Sequence, residues 1–426
     1  MMQRSRFIGA FVALAWLASA GTMFAQGFAP GQIVVWRVGG DASYNPGASA
    51  LTSAATAVFL DQFSPFTAGQ IAPAYTTSLP TTPGSLAQTD SGTATSNGFF
   101  SRAQNSFSLV TPGYNAAVGT AAVAGSDPAL INRSIGVVSF NGSVNSSTGF
   151  NNGPLNNYRS VAGDGANNFW VSTAGSGTAS GIMYVSNSNF GSVSSAVDVL
   201  SGNVRNLRIF NNSLFVSSGS TTGPGAGISL VGTVGALPTS ATTSTKLNGT
   251  EASGTGTPSS YGFWLFDNPL NGNNWNGTGF DTLYIADDRS VANGGGLQRW
   301  VYDGAAWNLT GTITFVDGTS ATGGFRGLAA SIDTTGQPTV SLWLTTVSSQ
   351  TGGGGNQLVT IADTLNASSG TFGSFSSLAT APTNTAFRGL DFTPVPEPST
   401  ILLVGMGFAG MAYGTFSKKR RKTRTA

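Results

Sequence analysis

The chain of 426 residues contains no cysteine and no histidine. Without cysteine it has neither disulfides nor thiolate chemistry, and a chain this long does not need disulfides to build a core. Without histidine it lacks the commonest general base, the commonest zinc ligand and every Ser-His-Asp arrangement. These two absences exclude Ser-His-Asp and Cys-His catalytic arrangements and argue against zinc sites.

Charged residues are also scarce, at 8% of the chain against about 25% in a typical globular protein. The formal net charge is +2, with 19 basic and 17 acidic residues. Two basic residues lie in the first 25 residues, and six basic residues with one acidic residue, Glu397, lie in the last 32. The remaining body therefore holds 11 basic and 16 acidic residues, a net charge of −5. Such a body is not expected to bind nucleic acid.

The N-terminus has the layout of a secretory signal peptide, which we place at residues 1–25. Arg4 and Arg6 precede an apolar stretch at residues 7–17, and small residues follow at Ala18-Ser19-Ala20. Cleavage after Ala20 and cleavage after Ala25 both fit this pattern. We therefore expect the Sec machinery to export the chain.

Long amphipathic segments are missing from the body, residues 26–394. Between Gly31 and Pro394 no segment keeps a 3.6-residue apolar period over three turns, because Gly and Pro interrupt every candidate. Runs at residues 31–38 and 58–63 are rich in β-branched and aromatic residues and predict strands. The Gly/Ser/Thr-rich stretch 76–97 predicts a long loop. The pattern indicates an all-β fold.

Five short runs in the body share one pattern, in which a large apolar residue and a β-branched or Leu neighbour lead into small polar residues. These runs are residues 108–111, 169–173, 214–218, 283–287 and 342–346. An arginine-containing element usually precedes a run, and its four clear copies are Tyr158-Arg159-Ser160-Val161, Val204-Arg205-Asn206-Leu207, Phe325-Arg326-Gly327-Leu328 and Phe387-Arg388-Gly389-Leu390. Phe100-Ser101-Arg102 resembles a degenerate copy, and the unit with Tyr284 has Trp264 but no arginine.

Repeats of about 45 to 70 residues with three or four short strands are typical of β-propeller blades. The last element, at Arg388, has no partners downstream, and the strands at 31–38 and 58–63 have no arginine element upstream. A composite blade built from both ends of the body would close the ring and remove its sheet edges. We therefore predict about six blades, with five or seven as alternatives. A β-helix is the second choice. Its coils would repeat about every 20–25 residues, which is shorter than the repeats found here.

The last segment, residues 395–426, combines three signals in order. It begins with Val395-Pro396-Glu397-Pro398, where the prolines hold Glu397 in an extended conformation. An uncharged apolar run at 401–416 follows, and as a helix it would span about 24 Å, somewhat short of a typical membrane span. The residues that define this predicted transmembrane helix are Ile401, Leu402, Leu403, Val404, Phe408 and Phe416. A basic cluster then holds the end on the cytoplasmic side, with Lys418, Lys419, Arg420, Arg421 and Lys422.

These three signals resemble the PEP-CTERM sorting signal of exported bacterial proteins. The resemblance covers less than a tenth of the chain and concerns its destination. It implies an exosortase as a processing partner, a membrane-tethered intermediate, and a final place at the cell surface or outside the cell. It also implies a link to exopolysaccharide and the biofilm matrix.

The recurring Arg159, Arg205, Arg326 and Arg388 have two interpretations. They would either surround a central channel and bind an anionic polysaccharide, or tie loop carbonyls of neighbouring blades together through their five N–H donors. Repetition at equivalent positions favours the contact between blades, since a ligand site is usually asymmetric.

Carboxylates give weaker signals. Asp164, or Asp287 with Asp288, could hold Ca²⁺, but neither site has the alternating carboxylates of a full calcium loop. Asp287 with Asp288, or with Asp281, could form a glycosidase pair. We predict no catalytic residue, no resident metal and no cofactor. The leading hypothesis is a non-enzymatic surface or matrix protein, and the alternatives are a polysaccharide hydrolase or lyase and a surface adhesin.

Overall fold

The computed structural model describes residues 27–82, 85–175, 180–252, 254–315, 324–347 and 354–396. The predicted signal peptide, Glu397, Pro398, the predicted membrane segment and the basic cluster lie outside these residues. The chain divides into two units, Met1–Pro394 and Val395–Ala426. The fold described below is that of the first unit.

The described residues form 28 strands. The first fourteen are β1 Ile33–Val38, β2 Ala55–Thr56, β3 Val58–Phe63, β4 Tyr75–Ser78, β5 Asp90–Ser91, β6 Ser101–Arg102, β7 Ser108–Tyr114, β8 Arg133–Ser139, β9 Val144–Phe150, β10 Tyr158–Gly163, β11 Phe169–Thr173, β12 Ile182–Val185, β13 Val193–Ser194 and β14 Val197–Leu200. The others are β15 Val204–Phe210, β16 Ser213–Ser218, β17 Gly227–Val231, β18 Ser244–Lys246, β19 Ser260–Phe266, β20 Thr282–Asp287, β21 Gly296–Tyr302, β22 Trp307–Ile313, β23 Phe325–Asp333, β24 Thr339–Thr346, β25 Gln357–Leu365, β26 Gly370–Phe372, β27 Ser376–Thr380 and β28 Ala386–Phe392.

Helical structure is limited, in the described ranges, to four short 3-10 turns at Val123–Gly125, Asn187–Asn189, Trp275–Gly277 and Val291–Asn293. None of the helices described here has the length and apolar character needed to cross a membrane.

Six antiparallel sheets form the blades of a propeller. Blades 1 to 5 follow one another along the chain, and each begins with its innermost strand. From the inside outward, blade 1 is β6-β7-β8-β9, blade 2 is β10-β11-β12-β14, blade 3 is β15-β16-β17-β18, blade 4 is β19-β20-β21-β22, and blade 5 is β23-β24-β25 with β26 and β27 both paired to β25. β13 adds in parallel to the outer edge of blade 1, and β2 pairs with β5 outside the blades.

Blade 6 is built from both ends of the body and closes the ring. Its order from the inside outward is β28-β1-β3-β4, and Ile33 pairs with Phe392 in an antiparallel register. The predicted six-bladed propeller with a composite closing blade is confirmed. One detail was wrong, because the stretch predicted as a long loop, 76–97, contains most of β4 and all of β5.

The apolar core lies between the blades and not within one central layer. Each of six clusters of buried side chains joins two neighbouring blades. The cluster between blades 6 and 1, for example, packs Trp36 and Leu60 against Phe100 and Leu109. Strands in the middle of a blade are therefore covered on both faces, and every residue of β11 and β20 is buried. This explains why the repeated runs are continuously apolar or small instead of alternating.

The glycine after the arginine in two of the elements has a steric reason. A Cβ on Gly327 would lie 2.5 Å from the carbonyl oxygen of Arg388, and one on Gly389 would lie 2.4 Å from that of Gly98. These distances are too short for a side chain, so glycine allows neighbouring innermost strands to approach closely.

Strands alternate in direction within each blade, and the chain passes from the outer part of one blade to the innermost strand of the next. The innermost strands therefore all run in the same direction along the central axis. The propeller therefore has two different faces. We call the face where these strands begin the collar face. We call the face where they end the tail face, because the chain leaves β28 there at Pro394.

Candidate functional site

The four recurring arginines come together at the collar face. Arg159, Arg205 and Arg326 are the second residues of β10, β15 and β23, and Arg388 is the third residue of β28. Two aromatic residues complete this ring, which we call the collar: Phe99, just before β6, and Tyr261, the second residue of β19.

The two aromatic rings of the collar meet across the axis. Phe99 belongs to blade 1 and Tyr261 to blade 4, which lie opposite each other in a ring of six, and their ring centroids are 5.7 Å apart. The guanidinium carbons of Arg205 and Arg326 lie 4.2 Å and 5.0 Å from the centroid of the Tyr261 ring. Two cation–π contacts therefore hold this ring in place. Phe99 is 2% and Tyr261 5% exposed, so both rings are buried within the collar.

Arg159 and Arg205 each bind the next blade along the chain. Arg159 Nη1 donates to the carbonyl oxygen of Val204, the first residue of β15, at 3.0 Å. Arg205 Nη1 donates to Ser259 Oγ, just before β19, at 2.6 Å. Burial lowers the pKa of Arg159 to about 10, and the nearby charges of Arg205 and Arg326 also lower it. Arg159 is still protonated at neutral pH.

Arg326 and Arg388 form ion pairs with acids outside their own blades. Arg326 Nη2 lies 2.7 Å from Oδ2 of Asp288, the residue that follows β20 of blade 4. Arg388 Nη1 lies 2.7 Å from Asp90 Oδ2, and its Nη2 donates to the carbonyl oxygen of Ser91 at 2.7 Å. Burial raises the pKa of Asp90 and lowers that of Arg388, and the attraction between the two charges opposes both shifts. The collar arginines thus all contact residues outside their own blades.

A cavity of about 370 Å³ opens at the other end of the channel, on the tail face. We call it the mouth pocket. It is lined by Arg102, Ala103, Gln104, Ser106, Arg208, Ile209, Phe210, Asn211, Trp264 and Asp391.

An ion pair crosses the axis beneath the mouth pocket. Arg208 of blade 3 and Asp391 of blade 6 lie on opposite sides of the ring, and Arg208 Nη1 is 2.7 Å from Asp391 Oδ2. Arg208 Nη2 also donates to the carbonyl oxygens of Leu328 at 3.1 Å and Leu390 at 3.2 Å. This guanidinium therefore joins three blades.

Arg102 differs from the other arginines of the channel. Its backbone N–H donates to Asp391 Oδ2 at 2.9 Å, and its guanidinium carbon lies 5.5 Å from the centroid of the Phe392 ring. Within the part of the chain that the structure describes, its guanidinium makes no hydrogen bond or ion pair. The side chain is half-buried at the pocket. With Arg208 and Asp391 it gives the pocket a formal charge of +1.

Trp264 forms a fixed wall of the mouth pocket. The guanidinium carbon of Arg208 lies 4.3 Å from its ring centroid, and the rings of Phe210 and Phe392 meet it edge-on at 5.6 Å and 5.8 Å. These contacts hold the tryptophan from three sides, so the pocket has a preformed shape.

One sequence interpretation needs correction here. Phe100-Ser101-Arg102 was interpreted as a degenerate arginine element, whereas the unit with Tyr284 was described only as having Trp264 and no arginine. In the structure Arg102 and Trp264 both line the mouth pocket at the tail face. The collar positions of blades 1 and 4 belong to Phe99 and Tyr261. Tyr261 could have been found by aligning Tyr261-Gly262 with Arg326-Gly327 and Arg388-Gly389. Gly262, like the other two glycines, lies against the neighbouring innermost strand.

The candidate catalytic carboxylates are all engaged in internal contacts. Asp281 is buried, accepts a hydrogen bond from the Asn268 N–H at 3.0 Å, and has its pKa raised to about 6 by burial. Asp287 forms an ion pair of 2.9 Å with Arg289, and Asp288 pairs with Arg326 as described.

The candidate calcium loop at Asp164 is a self-contained turn. Asp164 Oδ1 accepts hydrogen bonds from the N–H groups of Ala166 at 2.7 Å and Asn168 at 3.1 Å. Across the described ranges, no three or more Asp, Glu, His or Cys residues are grouped so that they could hold a metal ion.

Two other cavities, of about 520 Å³ and 410 Å³, lie in and beside blade 6. The larger one has no charged residue in its lining, and the smaller one has only Asp41. The mouth pocket is therefore the cavity among these three that combines cationic groups with a rigid aromatic wall.

Comparison with known proteins gives a result for the tail and little for the body. No curated protein matches the chain. Among solved structures, the chain is similar to a Bacteroides fragilis NCTC 9343 protein provisionally named a 6-phosphogluconolactonase, with 12% identity and a TM-score of 0.38 over 83% of this chain and 98% of that one. Residues 394–421 match the PEP-CTERM protein-sorting motif. The chain therefore carries this motif at its C-terminus, and it is an exported protein, transiently anchored in the membrane and processed by an exosortase.

Proposed function

We propose that the propeller is a non-enzymatic protein of the cell surface or extracellular matrix, and that its mouth pocket binds an anionic polysaccharide of the exopolysaccharide layer. The observation that carries this proposal is the half-buried guanidinium of Arg102, which has no acidic or carbonyl partner among the described residues although it lines a preformed cavity.

The charge of the pocket supports an anionic ligand. The body between the two terminal signals has a net charge of −5, whereas the mouth pocket holds two guanidinium groups and one carboxylate. A planar guanidinium binds a carboxylate or sulfate through two parallel hydrogen bonds, which suits the acidic groups of uronic or sulfated sugars. Gln104, Ser106 and Asn211 line the same cavity and offer hydrogen-bonding groups to sugar hydroxyls.

The acids near the pocket support binding without turnover. Glycoside hydrolysis uses two carboxyl groups on either side of the scissile bond. The pocket contains one carboxylate, Asp391, which is 1% exposed and already accepts from Arg208 and from the backbone N–H groups of Arg102 and Phe392. With no histidine in the chain, the pocket offers no general base in hydrogen-bonding reach of a sugar.

The test compares the purified wild-type body with two variants that each lose one positive charge. Binding of polygalacturonate is measured by calorimetry, with neutral dextran as the ligand control. Arg102→Ala is expected to weaken binding at least about tenfold, because one charge-assisted contact contributes about 1.5–3 kcal/mol. Lys246→Ala, on the outermost strand of blade 3, is expected to leave the affinity unchanged.

The same experiment separates the alternatives. If polygalacturonate does not bind, or if the two variants weaken binding equally, the mouth pocket is not the site. Release of new reducing ends or unsaturated products would instead indicate a hydrolase or lyase. Binding to whole cells without binding to any isolated acidic polysaccharide would indicate an adhesin.

A further inference from the structure

The loop between β3 and β4, residues 64–74, exposes two large apolar side chains on the tail face. Phe66 is 71% and Ile71 92% exposed. The loop contains no charged residue along its eleven positions. Exposed apolar side chains on an uncharged loop are costly in water and often mark a contact surface.

Hydrogen bonds hold this loop firmly against blade 5. Trp343 Nε1 donates to the carbonyl oxygen of Pro65 at 2.8 Å. The backbone N–H of Gln70 donates to the carbonyl oxygen of Leu378 at 2.7 Å. Within the loop, Gln70 Nε2 donates to the carbonyl oxygens of Ser64 and Thr67 at 2.9 Å and 2.8 Å. The exposure of the apolar side chains is therefore a built feature of the fold.

The loop lies beside the point where the chain leaves the propeller. Ile33 of β1 pairs with Phe392 at the end of β28 and with Phe63 at the end of β3, so these two strands end at the same level on either side of β1. Aromatic contacts connect the loop to the exit, because the ring of Trp343 lies 5.7 Å from that of Phe66 and 5.4 Å from that of Phe392.

The chain between the propeller and the apolar run of the tail is short. Seven residues, 394–400, separate β28 and Thr393 from Ile401. Fully extended, seven residues reach at most about 25 Å. A compact body of this size has a radius of gyration of about 21 Å, so its full width is greater than the tether. An anchored tail therefore keeps the point where the chain leaves the propeller, on the tail face, within about 25 Å of the bilayer.

We propose that the 64–74 loop is a membrane-contact element, and that Phe66 and Ile71 insert into the interfacial region of the bilayer while the tail is anchored. The partner is the lipid surface itself. Transfer of apolar and aromatic side chains from water to this depth is favourable, and the polar backbone of the loop still reaches water and headgroups. The contact holds the body in one orientation, with the start of the sorting motif next to the bilayer, until the tail is cut.

The absence of cysteine makes a direct test possible, since one introduced cysteine labels a single site. The full chain is reconstituted through its tail into phosphatidylcholine vesicles that contain nitroxide-labelled lipids. A fluorophore is attached at Ala68→Cys, in the exposed part of the loop, or at Leu130→Cys, where the native side chain is 83% exposed on the collar face. We expect strong quenching at position 68 and little at position 130.

A second comparison separates side-chain insertion from the effect of the tether. In the Ala68→Cys chain, Phe66→Ser with Ile71→Ser is expected to reduce the quenching at least twofold, whereas Leu155→Ser, at a 65% exposed residue of the collar face, is expected to leave it unchanged. Equal quenching at positions 68 and 130 would overturn the proposal. Unchanged quenching after the double serine substitution would overturn it as well, because the tether alone would then bring the face to the membrane.

Discussion

The two ends of the channel carry arginines in opposite situations. At the collar face, Arg388 is 2% exposed and its guanidinium is bound by Asp90 and by backbone carbonyls of the segment between blades 6 and 1. At the tail face, Arg102 lines an open cavity and its guanidinium has no such partner in the described chain. The comparison shows that an arginine in the channel can have different roles, depending on the partners around its guanidinium. An arginine whose Nη groups are bound by an acid and by carbonyls of neighbouring segments stabilises the ring. One whose Nη groups have no such partner is suited to a ligand.

The largest expected effect is at the collar. Arg388→Ala should lower the free energy of unfolding by about 3–5 kcal/mol, because it leaves the Asp90 carboxylate buried without its counter-charge. Urea denaturation of the body measures this loss, and Arg102→Ala serves as the control with an expected change below about 1 kcal/mol. Equal losses in the two variants would contradict the distinction between the two ends.

A smaller loss is expected for the ion pair beneath the mouth pocket. Asp391→Asn should lower the free energy of unfolding by about 1.5–3 kcal/mol, since Arg208 keeps its two carbonyl acceptors after the charged partner is lost. The same substitution removes the one negative charge from the pocket, so polygalacturonate should bind more tightly. Calorimetry on the folded variant checks the second effect, and weaker binding would argue against an anionic ligand.

The smallest expected effect concerns the ring that closes the collar. Tyr261→Leu should lower the free energy of unfolding by about 1–2 kcal/mol, because it removes the ring that lies between Arg205 and Arg326. Tyr261→Phe keeps the ring and should change stability by less than about 0.5 kcal/mol. Thermal unfolding of both variants at one pH gives the comparison. A loss of similar size in both would place the contribution in the hydroxyl group instead of the ring.

Much of the fold could be predicted because each blade buries its middle strands between its two neighbours in the same way. A strand covered on both faces by neighbouring blades has to be apolar or small throughout, and this gives the runs at 169–173 and 283–287 their shared pattern. The unmatched elements at the two ends of the body predicted the composite blade. The outermost strand β4 was missed because Tyr75–Ser78 is polar and pairs on one side only, so it carries no apolar run.

The candidate site was harder to predict. Arg208 and Asp391 are separated by 183 residues and belong to no repeated pattern, so their pairing depends on closure of the ring. Arg102 was interpreted as part of a degenerate arginine element, and Trp264 was noted in the unit that has no arginine. The face of the propeller on which a side chain lies depends on whether the residue is at the beginning or the end of its innermost strand. The strand boundaries were not known from the sequence, so the aligned arginines could not be assigned to a face.

The sequence alone was enough to show that this protein carries a sorting signal and that it has no thiol or imidazole side chains. The sorting motif at 394–421 is read as a contiguous segment, and the absence of cysteine and histidine needs no structure to interpret. The repeated runs determined the propeller, because burial of each blade is a local requirement. Only the folded structure shows that Arg388 is bound by an acid and by carbonyls, and that the Arg102 guanidinium has no such partner among the described residues. That property depends on partners from distant parts of the chain, which come within hydrogen-bonding distance only when β28 pairs with β1 and closes the ring.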